Sequence, residues 1–241
     1  MFSVIFEVFF KAGKTDEYLA YAKQLKPILE SIDGFVDNER FASRLRPGWL
    51  LSHSSWRDEK SVVRWRTQSE HHAVQEKGRF EIFDDYHLRV GEVSFDSNPP
   101  KGASTQGQRV DDTEVGIAKV ATLTEITTAK GAPLADQIEL LPARIGLDVR
   151  HDALVAHDIF ESIYNPGKLA LLIGWKDAEA ANAWSPGKSA GVDGLRHRQI
   201  RILREYGRFD RREAPQYYPD VPGRETRHAE PARKPDAAKA W

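Results

Sequence analysis

Part of this chain occurs in it twice. "FASRLRPGWLLSHSSWRDEKSVVRW" (41–65) aligns without gaps on "FESIYNPGKLALLIGWKDAEAANAW" (160–184), at a constant offset of 160 − 41 = 119. Phe41/Phe160, Ser43/Ser162, Pro47/Pro166, Gly48/Gly167, Leu50/Leu169, Trp56/Trp175, Asp58/Asp177 and Trp65/Trp184 are identical pairs. Chance does not readily hold several Trp, Pro and Gly landmarks in one register, so the chain is two copies of one unit. The stretch "SFDSNPPKGASTQGQRVDDTE" (94–114) is poor in apolar residues and rich in Pro, Gly, Ser and Asp, which is linker chemistry. The expected division is copy one at 1–96, a linker at 97–113, a degenerate copy two at 114–212, and a tail at 213–241. The tail is too rich in proline and charge to order itself, so it is expected to be extended or disordered, although Tyr217 and Tyr218 can dock on the body.

Each copy reads as strand, helix, strand, strand, helix, strand. In copy one Phe2, Val4, Phe6 and Val8 recur at period two. "TDEYLAYAKQLKPILESIDG" places Tyr18, Ala22, Leu25, Leu29 and Ile32 on one helical face, with Thr15 or Asp16 as N-cap, Gly34 at the close and a bend at Pro27. Residues 35–43 and 49–56 read as strands joined through "RPG". Asp58 caps a short helix to about Arg66, and a second runs from Glu70 to Lys77, closed by Gly78. "FDDYHLRVGEVSF" is a long strand whose alternation changes phase at Gly91, the mark of a bulge. The predicted fold class is α+β: two tandem ferredoxin-like (split βαβ) domains that pair their bare apolar sheet faces into an α+β barrel.

Composition narrows the function. There is no cysteine, which removes disulfides, zinc–thiolate sites and a thiol nucleophile. A formal net charge of −1 gives no argument for nucleic acid or an anionic membrane. "MFSVIFEVFF" is too short to span a bilayer and lacks the flanks of a signal peptide, so a cytoplasmic protein is expected. No phosphate loop, dinucleotide fingerprint, HExxH or G-x-S-x-G occurs. His151, His157 and Asp158 do not form a metal site by this reading, because strand alternation separates His157 from Asp158.

At "IDGFVDNERF", "LSHSSWRDEKSVVRWR" and "EHHAVQEKGRFEIFDDYHLRV" the first copy resembles the antibiotic biosynthesis monooxygenase domain, of the dimeric α+β barrel superfamily. The resemblance is dense over 2–95 and weak over 115–210. It implies a fused dimer within one chain, with a homodimer as the alternative. It also implies a monooxygenase that uses dioxygen without cofactor or metal on a small aromatic or quinol-like substrate. A non-catalytic small-molecule-binding or structural barrel is the second possibility. Haem degradation is the third, set back because the first strand has no Asn and the histidines lie too near Trp65.

Cofactor-free oxygenation needs a base, donors that hold an anion, and a dry pocket. His71 or His72 can be the base, since imidazole titrates near neutral pH. Trp65, Arg66 and Arg79 are donors without acceptor capacity, and Tyr86 points into the same volume if its strand face is the pocket face. His72 is preferred, because seven residues separate it from Trp65 on a continuous helix; a break near Ser69 favours His71 instead. The competing reading makes Trp65 a core residue, pairs Arg66 and Arg79 with Glu70, Asp84 or Asp85, and leaves Tyr86 to pack. Copy two has "SPGKSAGVDGLRHRQ" after Trp184 and no such cluster, so a site belongs to copy one.

Overall fold

Eight antiparallel strands form a closed barrel in the order Phe2–Phe10, Trp49–Trp56, Phe35–Ser43, Leu154–Ser162, Lys168–Trp175, Val120–Thr128, Val192–Gly207, Phe83–Asp96. The computed structural model describes residues 1–105, 107, 109–128, 138–187, 192–219 and 221; the tail expected beyond 221 lies outside the described residues. Copy one supplies β1 (Phe2–Phe10), α1 (Thr15–Ser31), β2 (Phe35–Ser43), β3 (Trp49–Trp56), α2 (Glu59–Thr67), α3 (Ser69–Lys77) and β4 (Phe83–Asp96). Copy two supplies β5 (Val120–Thr128), α4 (Leu141–Arg144), β6 (Leu154–Ser162), β7 (Lys168–Trp175), α5 (Ala178–Ala183) and β8 (Val192–Gly207).

The copies meet edge to edge along two seams. One is short, from Phe41↔Ser162 to Ser43↔Phe160. The other is long, from His87↔Gly207 to Asp96↔Arg198, with a register shift between Val90 and Gly91. Glycine is required at that shift: a Cβ on Gly91 would sit 2.4 Å from the Arg201 carbonyl oxygen. A barrel has no free edge, so closure settles what each lone sheet leaves open.

Alternation along β1 assigns its two faces. Phe2, Val8 and Phe10 pack toward the helices, while Ile5 packs into the barrel with Phe41, Leu51, Leu123, Phe160, Leu172 and Ile200. The inner face is less apolar than the sequence suggests. Glu7 is gripped by Arg46 and Arg89, and Arg46 Nε also donates to Asp158 Oδ2 at 2.7 Å. Arg198, fully buried, pairs with Glu125. His53 sits among them with Nε2 2.8 Å from Ser3 Oγ, and burial, aided by the Arg198 charge, pushes its pKa down to about 3. Charges buried inside the barrel are tolerated because each finds a partner, several of them across the seams.

Two cap assignments change. The chain is already helical at Lys14, which caps α1 without a side-chain hydrogen bond, so Thr15 and Asp16 lie inside the first turn and cannot cap it. Gly78 does not close α3 in a left-handed conformation. It stays right-handed, and the chain continues through a π-helical turn, Gly78–Ile82. Glycine is needed there for a different reason, since a Cβ would meet the Phe83 ring at 2.5 Å.

Candidate active site

Copy one holds a cavity of about 210 Å³ between the helix-facing side of its sheet and α1, α2 and α3. One water needs roughly 10–15 Å³ of such space, so a much larger solute fits. Phe6, Leu88 and Val90 from the sheet and Leu25 from α1 make much of the wall apolar.

The break between α2 and α3 places the polar groups. Asp58 caps α2, accepting from Ser61 N at 2.8 Å, as the sequence indicates. The chain then leaves helical geometry at Gln68 (φ −61°, ψ 131°), and Gln68 caps α3 by accepting from His71 N at 2.7 Å. Counting seven residues along a continuous helix therefore fails. His71 lines the cavity with Trp65, Arg66, Arg79 and Tyr86. His72 does not: it is exposed on the outer side, with its Nδ1 3.3 Å from Gln216 Nε2.

The His71 ring stacks on the Trp65 indole at 3.9 Å between centroids and 12° between planes. Its Nδ1 lies 2.8 Å from the Trp65 carbonyl oxygen. A carbonyl only accepts, so Nδ1 carries the proton and Nε2 of the neutral ring keeps a lone pair. Burial pushes the His71 pKa down to about 4, against the raising effect of that carbonyl. The imidazole is thus neutral at physiological pH and does not titrate near neutrality, contrary to the expectation from an ordinary histidine.

Among the described residues, Arg66 and Arg79 do not make the ion pairs with Glu70, Asp84 or Asp85 that a surface role requires. Arg79 is 3% exposed; its Nη1 donates to Tyr86 Oη at 3.0 Å and to the Arg208 carbonyl oxygen at 2.9 Å. Arg66 Nε is buried without a hydrogen-bond partner among the described residues. Trp65 serves both readings, packing on the core and walling the cavity.

In copy two the helix-facing side of the sheet carries an apolar cluster among the described residues. Ile138, Leu141, Ile145 and Leu147 pack against β5 and β7 with Trp175, and Trp184 borders them. His157 and Asp158 both border a second cavity at the barrel's end, but His151 packs edge-on against Trp175 instead. Among the described residues, no group of three or more His, Asp or Glu side chains is placed to hold a metal.

The family model for antibiotic biosynthesis monooxygenases matches residues 1–77. A "Jasmonate monooxygenase ABM" of Pyricularia oryzae (strain 70-15) is 43% identical over 224 residues, which cover 91% of this chain and 99% of that protein. The chain belongs to the antibiotic biosynthesis monooxygenase family. The alignment with that relative runs through both copies. Two crystal structures of aldoxime dehydratases match in fold: one in complex with butyraldoxime at TM-score 0.51 and 14% identity, covering 84% of this chain and 79% of that one. The other matches at TM-score 0.50 and 12% identity, covering 84% and 81%.

Several residues around the cavity escaped the sequence reading. Asn38 and Arg40 come from β2, where charges alternate on both faces and give no inward signal. Arg204 and Tyr206 come from the end of β8, which crosses the long seam into copy one. Arg211 follows it at the end of the expected copy two, and Gln216 and Tyr218 lie in the stretch whose composition reads as tail. Their only advance sign was the pair Tyr217 and Tyr218, of which Tyr218 docks and Tyr217 is 91% exposed.

Proposed function

We propose that the copy-one cavity is the active site of a monooxygenase that uses dioxygen without a metal or flavin, working in the cytoplasm. Its substrate is a small, largely apolar molecule with an activated C–H and an anionic or phenolic oxygen. The observation that carries this is His71: a neutral imidazole with its tautomer fixed, on the wall of an apolar cavity. Such a group is a base ready to act without first losing a proton.

His71 removes a proton from a methylene carbon next to a carbonyl, or from a phenol conjugated to such a carbon, and the resulting anion reduces dioxygen. The peroxide formed on that carbon then loses water. In balance, one methylene and one dioxygen give one carbonyl and one water. Both C–H bonds of the methylene are broken, and four electrons pass from that carbon to dioxygen, so the substrate is the only reductant. Arg66, with its unpaired Nε, and Arg79 and Tyr86 are donors suited to hold the anion. Because the relative is named for jasmonate, a carboxylate, that compound is the first substrate to test, followed by quinols.

The test is oxygen uptake by the purified chain with each candidate, with mass spectrometry of the product. Gain of one oxygen with loss of two hydrogens supports the reaction as written. Saturable binding without oxygen uptake across the panel overturns it in favour of a binding protein. A Soret or flavin band that tracks activity overturns the cofactor-free form.

A further inference from the structure

A segment that follows β8, residues 208–219, lines one side of the cavity of copy one. It does so with side chains that carry chemistry. Arg211 Nη1 donates to Tyr86 Oη at 2.6 Å, and its Nη2 donates to the Gln216 carbonyl oxygen at 2.9 Å. Its guanidinium also lies over the Tyr206 and Tyr218 rings, 5.5 and 5.1 Å from their centroids. None of these partners is a carboxylate, so among the described residues they are all neutral groups.

The cavity as a whole has the same imbalance. Arg40, Arg66, Arg79 and Arg211 all line it. The acidic side chain on its wall is Glu59, and that carboxylate is already engaged by Arg109 Nη1 at 2.8 Å and Arg204 Nη2 at 3.6 Å. Several guanidinium groups around an apolar space repel one another, and an entering anion removes that repulsion while gaining charge-assisted hydrogen bonds.

The strap is pinned rather than draped. The Glu213 carboxylate accepts from Thr113 Oγ1 at 2.7 Å, Glu114 N at 2.6 Å and Glu205 N at 2.6 Å, which fastens the strap to the stretch before β5 and to the end of strand β8. Further on, Gln216 Nε2 reaches Gln75 Oε1 at 3.2 Å, and Arg79 Nη2 reaches the Pro219 carbonyl oxygen at 3.3 Å. Arg211 lies between the pin and the cavity, two residues before Glu213.

We infer that Arg211 is a ligand-binding residue of the copy-one cavity, that Glu213 positions it, and that the strap makes the cavity selective for anionic amphiphiles. The inference rests on the cavity being a ligand site, as proposed above. It also accounts for the difference between the copies: the strap leaves β8 on the side of copy one and has no counterpart after β4, where the linker runs instead.

The test uses the full chain and two fluorescent probes of similar apolar bulk, anionic 1-anilinonaphthalene-8-sulfonate and neutral N-phenyl-1-naphthylamine. Arg211→Met should weaken the anionic probe about tenfold or more, the loss of one charge-assisted contact, and leave the neutral probe within about twofold. Arg211→Lys should restore part of the difference. Glu213→Ala should lower the anion preference with Arg211 still present, and should raise hydrogen exchange over 208–219. Unchanged binding of the anionic probe to Arg211→Met, equal weakening of both probes, or no saturable binding by the unaltered chain would each overturn the inference. The readout is binding and not oxygen uptake, so a catalytically inert but anion-selective chain would sink the monooxygenase proposal and leave the role of Arg211 standing.

Discussion

Replacing Arg46 by Met tests whether the charges inside the barrel hold the two copies together. Arg46 lies in the turn between β2 and β3 and reaches into the barrel, pairing at once with Glu7 of copy one and Asp158 of copy two. The carboxylates are 6% and 3% exposed, and the arginine 31%. Breaking a buried pair by removing one partner costs about 3–5 kcal/mol, because a charge is stranded. Here Asp158 keeps Ser43 Oγ at 2.8 Å and Glu7 keeps Arg89, so the cost should fall to about 2–3 kcal/mol. For a chain of this size that lowers the melting temperature by about 4–12 °C. The pH dependence is more diagnostic. Burial already holds the Asp158 carboxyl above its ordinary value with Arg46 beside it, and removing the cation raises it further. A group whose folded pKa exceeds its unfolded one adds stability below the unfolded value and loses it as pH rises through the folded value. The deficit of Arg46→Met should therefore be largest at neutral pH and smaller at a mildly acid pH. Adding Asp158→Asn should recover part of the loss, giving a double variant more stable than the sum of the singles. An equal deficit at both pH values, or strict additivity, would refute the argument that a stranded carboxylate is the cause.

Three further outcomes are expected. His71→Ala should lower turnover about a hundredfold or more, while His72→Ala stays within about twofold, each with its fold checked by circular dichroism; similar small losses at both would remove His71 as the base. The acid limb of kcat/KM should be centred near pH 4, where His71 gains its proton, with a flat profile from there to neutrality; a limb near the ordinary histidine value of about 6.5 would mean that the base is not the buried ring. Gly78→Ala should destabilise the chain by about 1–3 kcal/mol in urea unfolding, because its Cβ overlaps the Phe83 ring, and the loss should shrink in a Phe83→Leu background.

The repeat and its landmarks made the fold legible. Trp56, Trp175, Asp58 and Asp177 recur at one offset because each copy needs the same buried indole and the same helix cap, and the structure uses them so. What periodicity could not show was how the copies close. A lone sheet with Ser3 and Glu7 on one face looks like a half-apolar surface awaiting another sheet. In the barrel those positions find Arg46, Arg89 and His53, partners from other strands and from a turn. The candidate site was legible within one stretch, 65–86, whose Trp65, Arg66, His71, Arg79 and Tyr86 line the cavity. His71 and Trp65 stand close because Gln68 breaks the helix, and one residue in extended geometry rotates everything after it. A helical count has no access to that rotation. Arg211 was less legible still, since it falls at the end of the degenerate copy, just before the proline- and charge-rich tail expected from 213. The strap is ordered by contacts with copy one that are distant in sequence.

The two copies divide the labour of folding and binding. A void of about 210 Å³ left as a defect in a packed core would cost about 5 kcal/mol at the usual penalty per unit volume. A symmetric pair of open cavities would double that burden. In copy two Ile138, Leu141, Ile145 and Leu147 pack on the helix-facing side of the sheet against Ile126, Leu169 and Leu171, all 5% exposed or less. That half supplies continuous apolar packing, and the barrel transmits its stability to copy one through the long β4–β8 seam. Copy one can then keep an open cavity with several guanidinium groups around it, an arrangement that a lone small domain would support poorly.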